Sequence, residues 1–523
     1  MSEALGPLGG AARSAEGSGT RAPRVVGGPL PLEVHEVDAL GWSTLAQQLH
    51  ERGARLLSLW GEPAGAGDRI WACWLDGAQL VLGGLDLAAG TRHYPGLHAL
   101  FPAAERMQRA LRDLLGPQAT GGDPRPWLRH AAWGADWHPL RDTTPPTPGD
   151  ATPYPFVAVD GEGVHEIAVG PVHAGVIEPG QFRFSVVGEK VLRLEQRLGF
   201  THKGVARRFT ELDLDGGLKL AARLCGDSTV AYAWAYCIAR EALAAVQPPP
   251  RALALRALLL ERERIANHLG DLGAIANDAG FAFALAQFSR LKEDLLRLNA
   301  QLFGARYPMN ALRPGGVAVD VDAAAVARLH EQGRTLRADA LRLRAIVDEH
   351  EGLHDRLRTT GRIEPTLARR LGMIGLAGRA SGQDLDLRAL VGCAPYDALG
   401  VRAVVRDGGD VAARFQVRYD ELFASLTLCD ELLAALPAGG VFEPLSPTPE
   451  PALALGLGLV EGWRGPVLVA LHAGEGGRIA RCHVHDPSWQ NWPALEWAVI
   501  HDIVPDFPLI NKSFNLAYSG HDG

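Results

Sequence analysis

Five short segments place a charged or reactive side chain beside glycine or proline, a composition typical of loops around a binding site. They are Gly-Pro-Val-His-Ala-Gly at 170–175 with Glu-Pro-Gly at 178–180 close behind, Arg-Leu-Cys-Gly at 223–226, Arg-Pro-Gly-Gly at 313–316, Glu-Gly-Trp-Arg-Gly at 461–465 and Asp-Pro-Ser at 486–488. Their thiol, imidazole, carboxyl and guanidinium groups are those that bind metals, carry protons and hold anions. Each segment alone is a weak signal, and together they predict a buried polar site.

The composition is that of a soluble globular protein. The 523 residues allow roughly two to four domains. Hydrophobic residues make up 47% and charged residues 21%, which excludes a wholly disordered chain. A net charge of −8 does not favour nucleic-acid binding, so no nucleic-acid partner is predicted. Six cysteines in so long a chain do not form a disulfide framework, which favours a reducing compartment.

The sequence predicts neither a membrane span nor a secretory signal. The longest apolar stretch, Val230 to Val246, is interrupted by Arg240 and Glu241 and is shorter than the roughly 20 apolar residues of a membrane helix. The N-terminus lacks a basic start followed by an apolar stretch. We therefore expect a cytoplasmic protein.

The elements that would position these residues fall into two units. Residues 1–29, rich in Gly, Ala, Ser and Arg, predict a flexible tail. Residues 30–141 predict a small α/β unit with a helix over Pro102–Leu115 and a hairpin of Arg69–Leu75 and Ala78–Leu82. Asp76-Gly77 between those two strands predicts a type I′ turn. Five prolines in 142–156 predict an extended linker.

The second unit spans residues 157–523. It begins with the strand-like segments His165–Val169 and Phe182–Val187, and helical patterns dominate from about 218 to 357. Helix-periodic apolar residues cover Leu255–Asn277, with Arg264, His268 and Asp271 on an adjoining stripe, and Ala323–His350 is a second such helix. Val467–Leu471 predicts a buried strand.

These motifs together resemble one family. From Val169 onwards the chain is similar to the large subunit of group 4 nickel–iron hydrogenases and to the homologous 49 kDa, quinone-module subunit of complex I, notably at 261–271 and 277–294. Residues 94–97, 101–106 and 125–130 resemble the 30 kDa subunit of complex I. A fusion of the two looks like the large subunits of formate hydrogenlyase-type complexes. The resemblance implies an α+β fold, with a small α/β domain followed by a large, mainly helical domain with peripheral β-structure.

The resemblance also identifies the metal-binding positions of the family. Hydrogenases hold nickel and iron through four thiolates in two Cys-x-x-Cys pairs, because soft thiolates suit these metals. The matching positions here are Cys225, Ser228, Ser488 and Asn491. With one thiol of four, we expect no nickel–iron centre and no other metal, and we expect these residues to line a vestigial cavity. Cys225 is then a buried, inert side chain.

Complex I uses the same cavity for quinone, and the resemblance implies roles for four residues. His173 matches a quinone-head histidine, whereas the matching tyrosine position is Gly226 and Tyr232 lies six residues later. Glu178 matches a proton-transfer glutamate, whose pKa an apolar cavity would raise. Arg464 matches the arginine over the metal site and needs an anion, from Asp227 or Asp486. The alternatives are a hydrogen-bonded loop histidine, a loop-capping carboxylate and a partly exposed ion pair.

Four further groups of residues have structural interpretations. Arg264, His268 and Asp271 predict a helix-packing network rather than a proton path. His472, His483, His485 and Asp486 lack the pattern of a metal site. The seven tryptophans of the first unit predict core and interface packing. The run 504–518, apolar and punctuated by proline, predicts an extended segment that docks on a core or on a partner.

The sequence therefore predicts a hydrophilic oxidoreductase subunit of a membrane-associated complex, lying on the cytoplasmic face of the membrane. We expect a partner small subunit with an iron–sulfur cluster, together with antiporter-like and quinone-module membrane subunits. A quinone is the expected acceptor, reduced near Glu178, His173 and Arg464. No nucleotide fingerprint is present. The alternatives are a true hydrogenase with unusual ligands and a non-catalytic coupling scaffold.

Overall fold

The computed structural model of the chain describes residues 24–26, 31–172, 178–390, 394–445 and 455–523. The N-terminal part is a five-stranded sheet in the order β1-β2-β5-β4-β3, with β2 and β5 parallel and the other neighbours antiparallel. Its strands are β1 (Arg24–Val26), β2 (Leu32–Val37), β3 (Arg55–Ala64), β4 (Gly67–Asp76) and β5 (Gln79–Leu87). A short parallel pair, β6 (His93–Pro95) and β7 (Gln118–Thr120), and two helices, α1 (Ala39–Glu51) and α2 (Ala104–Leu115), complete it.

The predicted hairpin and helix of this part are confirmed, and one detail is wrong. β4 and β5 pair with Asp76 opposite Gln79, so Gly77 and Ala78 form the turn. A positive φ, +58°, occurs at Gly77 and not at Ala78, whereas a type I′ turn needs both; a positive φ at the first position alone is the requirement of type II′. β1 falls inside the predicted tail, so at least these three residues of 1–29 join the sheet.

The proline-rich segment 142–156 contains no helix or strand. It is nevertheless held in place, because Arg109 donates a hydrogen bond to the hydroxyl of Tyr154 and Arg197 lies over its ring at 4.4 Å. Arg125 donates to the carbonyl of Pro155 at 3.0 Å and pairs with Glu195. The segment therefore packs against both parts of the chain instead of hanging free between them.

The remaining strands form small sheets around a helical centre. They are β8 (Val164–Val169), β9 (Gln181–Val187), β10 (Lys190–Arg197), β11 (Leu312–Arg313), β12 (Gly316–Val317), β13 (Leu455–Glu461), β14 (Pro466–Ala473) and β15 (Ile479–His485). β8, β9 and β10 make one antiparallel sheet, β13, β14 and β15 a second, and β11 pairs with β12. This mixed content confirms the α+β class.

The helical centre is built on long buried helices. The helices are α3 (Val205–Thr210), α4 (Gly217–Ala221), α5 (Thr229–Ala244), α6 (Pro250–Asp278), α7 (Ala282–Phe303), α8 (Ala323–Asp348), α9 (Glu351–Leu357), α10 (Pro365–Leu371), α11 (Gly375–Arg379), α12 (Leu387–Leu390), α13 (Val411–Ala434), α14 (Ser488–Ala498), α15 (Phe507–Phe514) and α16 (Ser519–Asp522). α6, as predicted, is one long helix, and it is buried on nearly all sides. In the described part of the chain, none of the helices has the length and apolar character to cross a bilayer.

Two glycines let α5 lie directly on β13. A Cβ at Gly458 would come within 1.8 Å of the carbonyl oxygen of Ala235, and one at Gly456 within 1.9 Å of that of Ala239. No side chain fits such an approach of backbone to backbone. Glycine at these positions therefore sets the distance between the sheet that precedes Arg464 and the helix that follows Asp227.

The C-terminal run 504–518 differs from the prediction. It is helical over α15 and not extended. Pro508 lies in the first turn, where its missing N–H has no helical partner to lose. Leu509, Ile510 and Phe514 are buried against the helical centre. The helix thus places these apolar side chains on the face that packs against the core.

The first sheet joins the second part through histidines of β15. The hydroxyl of Ser58 lies 2.8 Å from Nε2 of His483 and 3.2 Å from Nδ1 of His485, and Trp60 stacks on His483 at 4.8 Å. Gln490 donates to the carbonyl of Leu57 at 2.7 Å. The alternation of the strand directs both imidazoles to this joint. Among the described residues no cluster of His, Cys, Asp and Glu is arranged to hold a metal.

His485 should make the stability of this joint depend on pH. Burial lowers the pKa of His485 to about 4, so the unfolded chain takes up a proton near pH 6.5 while the folded chain does not. Stability therefore falls as pH decreases from about 6.5 towards 4. In His485→Gln, the free energy of unfolding, measured with urea, should vary less steeply between pH 6.5 and 5, by up to about 1 kcal/mol per pH unit. His93→Gln, at an exposed position, is the control, and parallel wild-type and His485→Gln profiles would contradict the assignment.

Candidate functional site

The predicted site is organised around the guanidinium of Arg464. A tight loop, closed by a 2.9 Å hydrogen bond from Gly462 N–H to the Gly465 carbonyl, connects β13 to β14 and carries Arg464. Arg464 donates to both carboxylate oxygens of Asp227, each at 2.7 Å, and through Nε to the carbonyl of Asn515 at 2.6 Å. Of the two carboxylates expected to pair with Arg464, the structure brings Asp227 into direct contact.

This pair keeps Asp227 ionised. Burial opposes ionisation, but the charge and hydrogen bonds of Arg464, with further hydrogen bonds from Cys225 and Ser228, outweigh it and hold the pKa of Asp227 well below its ordinary value. The pKa of Arg464 is raised well above its ordinary value because the charge of Asp227 outweighs burial. The two groups therefore form a bidentate ion pair at the site, which is stronger than a neutral hydrogen bond.

Cys225 and Ser228 surround the same pair. The Cys225 thiol lies 3.0 Å from Oδ1 of Asp227 and 3.7 Å from Nη1 of Arg464. Burial, and then the charge of Asp227, raise the pKa of this thiol well above its ordinary value. The Ser228 hydroxyl accepts hydrogen bonds from the Trp463 indole at 3.0 Å and from Arg464 at 3.2 Å. Cys225 is thus a protonated thiol in a hydrogen-bonded shell.

Tyr232 and Ser488 meet at a second carboxylate, that of Asp486. The hydroxyl of Tyr232 donates to Oδ2 of Asp486, and Ser488 N–H donates to Oδ1 at 2.7 Å. Burial, and then the charge of Asp486, raise the pKa of Tyr232 well above its ordinary value. Gly520 closes this group, since a Cβ there would lie 2.7 Å from the Tyr232 hydroxyl. Tyr232 is fully buried and lies behind the site.

The remaining predicted site residues lie apart from the Arg464 pair. The amide of Asn491 accepts from Ile374 N–H at 3.2 Å and donates to the Ile374 carbonyl at 3.0 Å. Glu178 is exposed and accepts a hydrogen bond from Ser519 N–H at 3.0 Å. His173 lies outside the described residues. The structure therefore brings together Cys225, Ser228 and Arg464, and joins Glu178 to the chain next to Gly520.

The site borders a group of charged and polar side chains, most of them partly exposed, that the sequence reasoning largely missed. We call this group, formed by Asp227, Asp271, Lys292, Tyr307 and Lys512, the recess. A third of the Asp227 side chain and a quarter of Lys512 are exposed, and the charges of Asp227 and Asp271 act on both Lys292 and Tyr307. One signal was available: lysine occurs five times among 52 basic residues, and two of the five lie here.

Glu263 is a further buried carboxyl next to the site. It accepts hydrogen bonds from Val230 N–H at 2.7 Å and Ala231 N–H at 3.2 Å, in the first turn of α5. Burial raises its pKa to about 8, with the charge of Asp227 acting in the same direction and these N–H groups against it. Two carboxyl groups thus share one end of α5, and Asp227, paired with Arg464, is the ionised one.

The stripe of Arg264, His268 and Asp271 belongs to a charge network with α13. His268 lies 2.9 Å from Glu421, which also pairs with Arg379 at 2.7 Å, and Asp271 pairs with Arg418 at 2.8 Å. Burial lowers the pKa of His268. Arg264 donates to the carbonyl of Glu461 at 2.7 Å and to Glu261 of its own helix at 3.2 Å. Each stripe residue thus has a partner on a neighbouring element, and the three are not hydrogen-bonded to each other, as expected of a helix-packing network.

Comparison with known proteins gives the family. Residues 278–452 match the family described as respiratory-chain NADH dehydrogenase, 49 Kd subunit. Hydrogenase-4 component G of Escherichia coli (strain K12) is 30% identical over 461 residues, covering 86% of this chain and 78% of that protein. This chain belongs to the family of group 4 hydrogenase large subunits and complex I 49 kDa subunits. The sequence-based family assignment is confirmed.

A second relative agrees in extent, and a solved structure agrees in fold. Formate hydrogenlyase subunit 5 of the same organism is 29% identical over 450 residues, covering 84% of this chain and 78% of that protein. A chain from the structure of the membrane-bound sulfane sulfur reductase, an archaeal respiratory membrane complex, superimposes with a TM-score of 0.64 at 22% identity. It covers 69% of this chain and 99% of that chain, which shows the shared fold.

The family's nickel–iron centre requires donors that this chain does not supply. At the four positions, Cys225 holds its proton and Ser228 is bonded to Arg464 and Trp463. Ser488 accepts from Ala517 N–H at 2.9 Å, and Asn491 is bonded to the backbone of Ile374. Hydroxyl and amide groups are poor ligands for metals that select thiolates. These residues do not fit a nickel–iron centre.

Removal of the Asp227 charge should destabilise the chain. In Asp227→Asn the buried Arg464 loses its anionic partner, and the free energy of unfolding in urea should fall by about 2–3 kcal/mol, less than for a fully buried pair because a third of Asp227 is exposed. The double variant Asp227→Asn/Arg464→Gln should lose less than the sum of the two single changes. Asp86→Asn, which breaks an exposed pair with Arg69, is the control. Additive losses would contradict the coupling of Asp227 to Arg464.

Proposed function

We propose that this chain is the hydrophilic subunit that passes electrons to a quinone-type acceptor in a membrane-associated complex, without a nickel–iron centre. The single observation that carries the proposal is which side chains this chain has at the four positions that match the family's metal ligands. Cys225, Ser228, Ser488 and Asn491 are buried, and their polar groups are bonded within the protein. An organic acceptor needs no thiolates, and the recess beside Asp227 is open to solvent.

The electrons would come from a partner. The family to which the chain belongs includes respiratory-chain subunits, and the chain that it superimposes on comes from a respiratory membrane complex. We propose a small subunit with an iron–sulfur cluster as the donor and antiporter-like and quinone-module subunits as the membrane partners. The chain would lie on the cytoplasmic face of the membrane as a peripheral part of this complex.

The reaction requires two electrons and two protons for each quinone reduced to quinol. An iron–sulfur cluster in the partner subunit would supply the electrons. Glu178 is exposed and hydrogen-bonded to the backbone at Ser519, so it can take protons from solvent and release them towards the acceptor. Arg464 acts as a positioning residue, because its guanidinium is fully engaged by Asp227 and Asn515. His173 is proposed as a ligand of the quinone head.

The test is quinone reduction by the purified complex. With an electron donor that does not reduce the quinone in the absence of the complex, and a water-soluble benzoquinone as acceptor, Glu178→Gln should lower the rate by at least tenfold, because proton transfer by a positioned carboxyl typically contributes that much or more. Glu162→Gln, an exposed glutamate in the turn before β8, is the matched control and should leave the rate unchanged. Metal analysis of the same sample should find no stoichiometric nickel.

Three results would contradict the proposal in different ways. Stoichiometric nickel with hydrogen evolution would establish a hydrogenase with unusual ligands. Oxidation of the donor at the same rate with and without quinone would remove quinone as acceptor. Equal quinone reduction by the wild type and Glu178→Gln, in a complex that disassembles when residues 30–141 are deleted, would favour a non-catalytic scaffold.

A further inference from the structure

Lys292, on α7, is the one charged group of the recess without an ion pair or hydrogen bond among the described residues. Arg464 is paired with Asp227, and Asp271 accepts from Arg418 at 2.8 Å and from Asn515 at 2.7 Å. Lys512 approaches Asp271 to 3.6 Å. Both carboxylates of the recess are thus already engaged by other groups, and none of the three donors of the Lys292 ammonium has a partner within the part of the chain that the structure describes.

Lys292 is partly buried close to two carboxylates, those of Asp271 and Asp227. Burial lowers the pKa of Lys292, and the charges of Asp271 and Asp227 act against that effect. The Tyr307 hydroxyl, in the same field of charges, has no hydrogen-bond partner among the described residues either. The recess therefore places two donors that no described side chain engages, at partly exposed positions, beside the Arg464 pair.

A glycine in α6 leaves room for the Lys292 ammonium. Gly270 lies in the interior of α6, where glycine costs about 1 kcal/mol relative to alanine. A Cβ at this position would lie 2.8 Å from Nζ of Lys292. Glycine at position 270 thus leaves the space that the Lys292 amine occupies, although it lowers the intrinsic stability of the helix.

We propose that Lys292 is a substrate-binding residue, whose ammonium binds the atom of the electron acceptor that gains negative charge on reduction. The ligand class is an acceptor with an oxygen that is anionic or becomes so, such as the carbonyl oxygen of a quinone or an oxygen of a free oxyanion. The assignment of Lys292 to quinone binding rests on the proposed function, whereas its assignment to oxyanion binding does not. The donors of the recess supply the hydrogen bonds and the positive charge that such an oxygen requires.

Protection from acylation tests the site without turnover. The purified complex is treated with a limiting amount of acetic anhydride at pH 8, and acetylation of each lysine is read by mass spectrometry. A fully substituted, water-soluble benzoquinone at saturation should lower acetylation of Lys292 at least fivefold. Exposed Lys219 is the internal control and should not change.

A second arm of the experiment contains inorganic phosphate in place of the quinone. Protection of Lys292 by phosphate alone would support the site and contradict the quinone of the proposed function. Protection by quinone supports both. An absence of protection by either probe, or a Lys292 that is not acetylated in the free complex, would overturn the assignment of Lys292.

Kinetic variants separate binding from folding. Lys292→Met should raise KM for the benzoquinone at least tenfold with a smaller change in kcat, because it removes the ammonium. Gly270→Ala should raise KM by a smaller factor, because the added Cβ displaces the flexible end of Lys292. Gly270→Ala should also leave thermal stability unchanged or higher, since alanine favours the helix. Lys292→Arg should restore most of the affinity, and Lys219→Met is the matched control. An unchanged KM in Gly270→Ala and Lys292→Met would contradict a role in binding.

Discussion

The site depends on the requirement that a buried guanidinium have an anion. Arg464 is 8% exposed, and an unpaired charge there would cost several kcal/mol. Three distant segments meet to satisfy it: the loop between β13 and β14, Asp227 before α5, and the Asn515 carbonyl after α15. Their arrangement also determines the state of Cys225, because the nearby carboxylate helps to keep the thiol protonated.

The same requirement extends through the helical centre. Glu421 accepts from His268 and Arg379, and Glu261 accepts from Arg388 and Tyr396, all of them buried. Burial opposes ionisation of Glu421, but the charge of Arg379 and the His268 hydrogen bond hold its pKa well below its ordinary value. Such a network contributes less to stability than to a unique arrangement of helices. It connects α6 with α11, α12 and α13 next to the recess.

Hydrogen-bonded side chains occupy the positions that match, in sequence, the metal ligands of the family. Ser488 and Asn491 hold backbone groups at Ala517 and Ile374, so they connect segments of chain that are distant in sequence. The recess brings together the charged side chains Asp227, Lys292 and Lys512 from three different elements.

The sequence by itself determined much of this protein: the α+β class, the long buried helix α6, the strand β14, the family, and the gathering of Cys225, Ser228 and Arg464 in one place. The helix and the strand follow from local periodicity, whereas the class, the family and the gathering of the three residues are what the family resemblance of the motifs implies. The tertiary structure decided the helical state of 507–514, the choice of Asp227 over Asp486 as the partner of Arg464, and the burial of Tyr232 behind Asp486. It also decided the position of Lys292, whose ammonium has no ion pair or hydrogen bond among the described residues. These features depend on which side chains come within about 3 Å of each other from elements far apart in sequence. A buried charge is paired with a specific partner only when those elements pack together.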